Sequence, residues 1–590
     1  MKAKHILYAF LGLFTVAVSS CSDFFDTDSD HVTFTDDKHI NEAGDSIYSL
    51  TGILQKLQAL GDRTILLGEA RGDLVSVTDA ASSDLRDVAN FNVNDSNKYN
   101  NPRDYYAVIN NCNFYIQKCD TTLKNSYGEG VFMREYAAVK AIRAWTYLQL
   151  AINYGHVPFV TEPILTKEQA DATYPTQDIQ GICDYFLKDL QTLTNVERPG
   201  LGTIGSYDSR FLYFPVYLVM GDLNLWKGNY KEAAYCYYRY LATANGSNSV
   251  FPIGRNYVHW GNSSWSRLTY SGSVSRFAET WNKSRELITI IPGDSLPSQG
   301  NYSELRSIYN TSADNNYEAS LTPSMSLRNL SAEQSNNYIT SDKDIIYTPT
   351  GLDDDRDGDL RLMDCWSHSN NRRIGDRRIN YQYISKFSTR NIHIYRKTMV
   401  YLRLAEALNR AGYPHFAYQI LARGVNNSVI ADYVLPYCTT ATDSAFVNMF
   451  SFPGTYTSTS DNNYIVFDID NMDNLNNVNT IGIHSRGSGW ACYNKNYAFP
   501  DDSTLVGDVR KQYQIEKMED MIVDEDALEL AFEGSRYYDL LRVALRRNDP
   551  SYVANKVKAR NGAGTIDSGI SKSLLDWKDL FLSWQGKIGY

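Results

Sequence analysis

A mainly α fold is predicted by three features of this 590-residue sequence. Four segments carry apolar residues at helical spacing, and small residues recur where such helices would touch. Two long segments between them hold no sustained period and are rich in Asn, Ser, Gly, Thr and Tyr. Helices packed on helices, with long irregular insertions, satisfy all three.

The helical segments justify themselves in order. Residues 134–155, "REYAAVKAIRAWTYLQLAINYG", set Ala137, Ala141, Ala144, Trp145, Leu148 and Ile152 on one stripe. Residues 214–242 read as a helix, a turn at Lys227-Gly228-Asn229 and a second helix. Residues 395–425 repeat that plan around Ala411-Gly412-Tyr413-Pro414, and 524–547 supply a further helical pair. The turn "KGNYKEAAYCYY" and the helix "AEALNRAG" resemble tetratricopeptide repeats. Ala233, Ala405 and Ala407 would let helices approach, and Tyr230 and Tyr237 would fill the gaps. The units do not recur at a uniform spacing of roughly 34 residues, so a simple solenoid is excluded. A single domain over 46–590 is expected. Its tetratricopeptide-like helical scaffold lies mainly in 46–242, 395–425 and 520–590, and its loop-rich portion in 243–394 and 426–519.

The first 20 residues have the parts of a secretion signal: Lys2 and Lys4, an apolar run from Ile6 to Val18, then small residues. The run is too short for a membrane helix, and no later stretch approaches the ~18 apolar residues one needs. Val18-Ser19-Ser20-Cys21 resembles a bacterial lipobox, so Cys21 is the expected site of lipidation and anchoring. The acidic, aperiodic residues 21–45 read as a tether. A net charge of −11 with interspersed signs argues against nucleic acid and anionic lipid as partners. Cys112, Cys119, Cys183, Cys236, Cys365, Cys438 and Cys492 are scattered, with no C-x-x-C pair. They form neither a disulfide framework nor a zinc site, and Cys112 and Cys119 are the one near pair.

Several stretches together resemble the SusD/RagB outer-membrane lipoproteins of Bacteroidetes. They are "CSDFFD" after the lipobox, "LGEARGD" (67–73), "AIRAWTYLQLAINYGHVPFV" (141–160), "YLRLAEALNRAG" (401–412), "GIHSRGSG" (482–489) and "LELAFEGSRYYDLLR" (528–542). The resemblance implies a SusD-like fold and a surface-exposed binding protein, not an enzyme. Such a protein captures glycans, or sometimes peptides, and passes them to a SusC-type TonB-dependent transporter. It implies ligand contacts shortly after "LGEARGD", making Arg71, Asp73 and the residues up to Asn90 a candidate ligand wall.

No H-E-x-x-H, nucleophile elbow or Walker loop occurs, and the nine histidines are dispersed. Glu69 and Asp73 could form a glycosidase pair, but a structural role in which Glu69 and Arg71 pair or cap near a turn fits better. Arg71-Gly72-Asp73 also spells an adhesion tripeptide, by coincidence. Glu533, Arg536, Asp539 and Arg542 fall three apart and predict a salt-bridge lattice along a helix. In "GLDDDRDGDLRLMD" (351–364), Asp353, Asp355, Asp357 and Gly358 match the first half of a calcium loop, with Asp364 at its twelfth position. Asp stands there for the usual Glu, Arg361 occupies a frequent ligand position, and no flanking helices are evident; a solvated acidic turn is the alternative. No cofactor is required, and calcium would be structural. Trp145, Trp226, Trp577 and Trp584 are expected in the core. Trp260, Trp265, Trp281, Trp366 and Trp490 lie in polar loops with Tyr257 and Tyr270. Sugar C–H faces stack on such rings while neighbouring polar groups bind hydroxyls. Arg71, Asp73, Tyr257, Trp260, Trp265, Tyr270, Trp281 and Trp366 are therefore the candidate ligand residues. An oligosaccharide is the expected ligand; a peptide ligand and a surface glycosidase are the alternatives.

Overall fold

The computed structural model describes residues 40–204, 207–242, 244–245, 248–249, 258–260, 268–270, 287–293, 302–313, 316–339, 345–348, 358–452, 482–488, 497–562, 564–584 and 588. The predicted signal peptide, Cys21, Tyr257, Trp265, Trp281, Trp490, Asp353, Asp355 and Asp357 lie outside them.

The scaffold is a succession of helices: α1 (Ala43–Gln58), α2 (Gly61–Glu69), α3 (Pro102–Lys118), α4 (Met133–Tyr154), α5 (Ile179–Leu190), α6 (Val216–Lys227), α7 (Tyr230–Ala242), α8 (Lys397–Arg410), α9 (Pro414–Ala422), α10 (Gly507–Leu530) and α11 (Arg536–Arg547). From α3 onward the helices pack in chain order through α9, with α1 against α3, α10 against α8 and α9, and α11 against α10 and α2. The succession continues from α7 to α8 across the first insertion. α4 is buried almost all round from Ala137 onward, its polar Arg143, Thr146 and Asn153 included, with Trp145 against Phe214 at 4.7 Å. The predicted helical hairpins are α6–α7 and α8–α9, joined by turns of two and three residues. Asp222 of α6 accepts hydrogen bonds from Tyr237 (2.7 Å), Tyr395 and Arg403, joining the two hairpins through one buried carboxylate.

The insertions are attached by short antiparallel pairs and by charge. β1 (Leu287–Ile291) pairs with β4 (Ile392–Arg396) immediately before α8, closing the first insertion near its root. Between them, β2 (Trp366–Ile374) and β3 (Arg377–Ile384) form a hairpin with an irregularity between Ser369 and Arg372. A buried ionic network then fixes both insertions to α10. Arg361 bridges Asp359 (2.7 Å), Glu525 (2.7 Å) and Glu529 (3.0 Å). Arg396 bridges Glu529 (3.0 Å) and Glu533 (2.7 Å), Lys386 reaches Glu533 (2.6 Å), Arg486 lies 3.3 Å from Glu529, and His484 contacts Glu525 (2.8 Å). Four buried acids meet four buried cations besides His484, which is the condition under which buried charge is tolerated. "GIHSRGSG" belongs to this network.

Several expectations are corrected. The folded body begins inside the predicted tether: Ile40 is buried and bridges to Cys119, and α1 starts at Ala43. α10 begins at Gly507, within the segment read as loop-rich. The lattice expected along 533–542 keeps one intrahelical pair, Arg542–Asp539 at 2.6 Å. The other charges turn outward to distant partners: Glu533 to Arg396 and Lys386, Arg536 to Asp73, and Arg542 to Glu406. The cysteines need no correction: the six described are free thiols, five of them buried, Cys112 and Cys119 included.

Candidate functional site

A cleft of about 910 Å³ opens where α4 ends, α5 begins and the α6–α7 turn meets α11 and the C-terminal segment. This volume falls within the range of small-ligand sites. Its rings are Tyr154, Trp226, Tyr230, Trp577, Phe581 and Trp584. Trp226, Trp577 and Trp584, expected in the core, are half-buried and line this opening instead.

The cleft is built by segments that the sequence separates widely. α4 ends at Gly155, whose φ is +75°, a region that disfavours side chains. A Cβ there would also come within 3.3 Å of the Phe581 ring. The C-terminal segment is held down by Leu582 N–H donating to Asn153 O (2.8 Å) and by Tyr537 Oη donating to Leu580 O. Trp584 rests on Tyr106 and Tyr154, with centroids at 5.5 and 5.8 Å. Asn153 gathers more than this tail. Its Oδ1 accepts from Arg71 and from Tyr538 Oη (3.0 Å), while its Nδ2 donates to Gln149 O (2.8 Å).

Charged groups lie beside the rings. The Arg542 guanidinium sits 5.4 Å from the Trp226 ring centroid, and that of Arg410 sits 5.7 Å from Tyr230. Both arginines grip Glu406, at 2.7 and 2.9 Å. Burial alone would raise the Glu406 carboxyl, but Arg410 and Arg542 hold it down at about 2. Nearby Asp526 goes the other way, pushed well up by burial and by Asp539 and Glu406. Arg410 Nη2 is buried with no protein partner among the described residues. Asp178 is the one carboxylate lining the cleft among the described residues, and it caps α5 through Gly181 N–H at 2.8 Å. Hydrolysis between paired carboxylates is not offered by this lining. Ring stacking with peripheral hydrogen bonding is.

The candidate ligand residues fare differently from one another. Arg71 and Asp73 are buried, 1% and 3% exposed, and are corrected from ligand contacts to internal ties. Arg71 donates to Leu67 O (2.8 Å) and Asn153, under the Tyr537 ring at 4.0 Å; Asp73 pairs with Arg536. Glu69 does not pair with Arg71 but accepts from Gly534 N–H (2.9 Å). Trp260 and Tyr270 belong to paired strands 258–260 and 268–270, offset from direct opposition: Val258 faces Tyr270 and Trp260 faces Leu268. Trp366 is half-buried, stacked on His368 at 3.9 Å with the Arg328 guanidinium 5.2 Å from its ring. In the acidic loop, Gly358 is followed directly by a helix, Leu360–Cys365, that includes Asp364. Arg361 turns away from a ligand position into the buried network.

Sequence reasoning missed the cleft because Trp577, Phe581 and Trp584 are spaced four and three apart, as in a core helix, whereas only Trp577–Leu580 is helical.

The class defined by these features is a tetratricopeptide-like helical scaffold that carries long insertions and an open aromatic cleft. No family model matches the chain, and no curated protein matches it in sequence. Solved structures match it in fold. A SusD superfamily protein from Bacteroides thetaiotaomicron superposes with a TM-score of 0.51 at 17% identity, covering 89% of this chain and 95% of its own. One from Bacteroides vulgatus gives 0.51 at 16% identity, covering 92% and 99%. A SusD-like carbohydrate binding protein from Bacteroides fragilis gives 0.51 at 12% identity, covering 86% and 87%. The chain has the SusD-like fold.

Proposed function

We propose that this chain is a cell-surface oligosaccharide-binding lipoprotein of the SusD/RagB family, delivering glycans to a SusC-type TonB-dependent transporter. The observation that carries the reading is the SusD-like fold over about nine-tenths of the chain, shared with a carbohydrate-binding protein. The secretion signal and Cys21 support an outer-membrane, lipid-anchored location. The aromatic cleft, with one lining carboxylate among the described residues, supports binding without catalysis. Tyr257, Trp260, Trp265, Tyr270 and Trp281 are proposed as further stacking groups. Structural calcium at Asp353, Asp355, Asp357 and Asp364 is proposed with them; a fall in melting temperature on chelation is its expected sign.

The test uses the chain from residue 22 onward, which keeps every described residue, in affinity gels against a polysaccharide panel and in calorimetry against peptides. Retardation by a glycan, weakened about tenfold by Trp226→Ala or Trp577→Ala through lost stacking, is the expected result. Loss with Trp260→Ala instead would place the site on the loops. Heat from peptides without any retardation would overturn the glycan reading. Transfer of the full-length Cys21→Ala protein from the membrane to the soluble fraction tests the anchor.

A further inference from the structure

The tip of the β2–β3 hairpin carries a charge opposite to that of the chain as a whole. The net charge is −11, yet "RRIGDRR" (372–378) sets Arg372, Arg373, Arg377 and Arg378 against Asp376 alone. All four arginines are exposed. Arg373 lies directly across from Arg378 in the strand register, an arrangement in which like charges destabilise a sheet. Neither has an ion-pair partner among the described residues. Their flanking arginines rest on aromatic faces: Arg372 lies 3.9 Å from the Tyr381 ring centroid and Arg377 lies 5.1 Å from that of Tyr317, itself half exposed.

The stem beneath is fixed. Gln382 donates to Tyr309 O (3.0 Å) and Leu321 O (2.7 Å), and Ile384 N–H donates to Asn310 Oδ1 (2.5 Å). Trp366 Nε1 donates to Gln382 Oε1 (3.3 Å) across the pair. A fixed base therefore presents Arg373 and Arg378 side by side on one face of the tip, with Arg372 and Arg377 on the other. Guanidinium is a planar fork that takes carboxylate or sulfate through two parallel hydrogen bonds, and no lysine replaces it here. Other exposed groups along the hairpin are Ser367, His368, Ser369, Asn370, Asn371 and Asn380, all able to hydrogen-bond sugar hydroxyls.

We infer that this hairpin tip is a docking site for acidic polysaccharide, in which the cross-strand pair Arg373 and Arg378 takes its carboxylate or sulfate groups while Arg372 and Arg377 add positive charge from the opposite face. The inference rests on the glycan-binding reading and narrows its ligand class. A lipid surface is the less fitting anion, because interfacial binding draws on a broad apolar face beside the cations, whereas here Tyr317 and Tyr381 stand among polar groups.

The test compares the chain from residue 22 onward with its Arg373→Gln/Arg378→Gln variant. Both run in gels containing polygalacturonate, chondroitin sulfate or neutral amylopectin, at low and high salt, and both are sedimented with phosphatidylglycerol vesicles. Retardation by an acidic polysaccharide is expected, weakened by salt and at least about tenfold by the double substitution. The melting temperature should stay equal or rise, since a like-charge pair is removed. Absent acidic retardation, retardation equal in both proteins, or sedimentation with vesicles alone would each overturn the inference. Retention by amylopectin alone would overturn it while leaving glycan capture standing. Retention by no polysaccharide would overturn both.

Discussion

Glu69 shows how far a residue's role can depart from its charge. It is fully buried, and burial pushes its carboxyl up to about 8 despite Gly534 N–H, Lys386 and Arg536. A carboxyl raised in the folded state from 4.5 holds a proton that the unfolded chain releases. Its contribution is therefore complete below about 4.5 and is lost as the pH rises toward 8. Glu69→Gln keeps an acceptor for Gly534 N–H and removes that slope. Stability of the variant against denaturant, measured at pH 5 and pH 8, should vary less than that of the parent. Asp73 is the opposite case, its carboxyl held low by Arg536 in spite of burial. Removing this partner with Asp73→Ala strands a buried guanidinium, and a loss of about 3–5 kcal/mol is expected in urea unfolding. The motifs holding these residues were legible as strings of charge and glycine, but their partners were not. Asp73 and Arg536 stand 463 positions apart, and spacing along a helix points only to neighbours three and four away.

Among the elements, α4 and the α6–α7 and α8–α9 hairpins were readable because helical periodicity and a small-residue turn are local signals, whereas α1, α3 and α5 were not singled out. The end of α4 at Gly155 was readable as well, but what packs against it was not. Gly155 is where the helix yields to the C-terminal segment, and its requirement comes from Phe581, far along the chain. Gly155→Ala should cost about 1–3 kcal/mol through an unfavourable backbone region and contact with that ring. The same substitution should loosen the segment bearing Trp577 and Trp584. Glycan retardation should therefore weaken even where the protein is folded, as checked by circular dichroism beside the gels. Gly68 and Gly534 form a similar contact between elements. A Cβ on Gly68 would fall 1.8 Å from Gly534 O, so α2 lies directly on the backbone leading into α11. "LGEARGD" and "AFEGSR" are two halves of one joint.

At the scale of the molecule, buried acids set the behaviour at low pH. Glu406 and Glu525 are held at about 2 by arginines, and in Glu525 also by His484, although burial opposes this. A carboxyl lowered from 4.5 stabilises above that value and loses its contribution as the pH falls toward 2. Cooperative acid unfolding is expected within that window, followed by circular dichroism. Arg361→Met should move its midpoint upward by leaving Glu525 and Asp359 uncompensated. The network's existence could not be read from the sequence, because its members come from 359–361, 386–396, 484–486 and 525–533 and share no periodic signal. The overall plan of scaffold and insertions could.

The contact of α7 on α8 has one more consequence. The two sides of the scaffold meet through side chains, so the peptide chain running between them is a tether whose length the interface does not sense. Each doubling of such a loop costs only about 0.6 kcal/mol in closure entropy. A protease nick at the exposed Gly375–Asp376 turn should therefore leave two fragments clasped together, and new recognition surfaces can be spliced in there while the helices beneath keep their register.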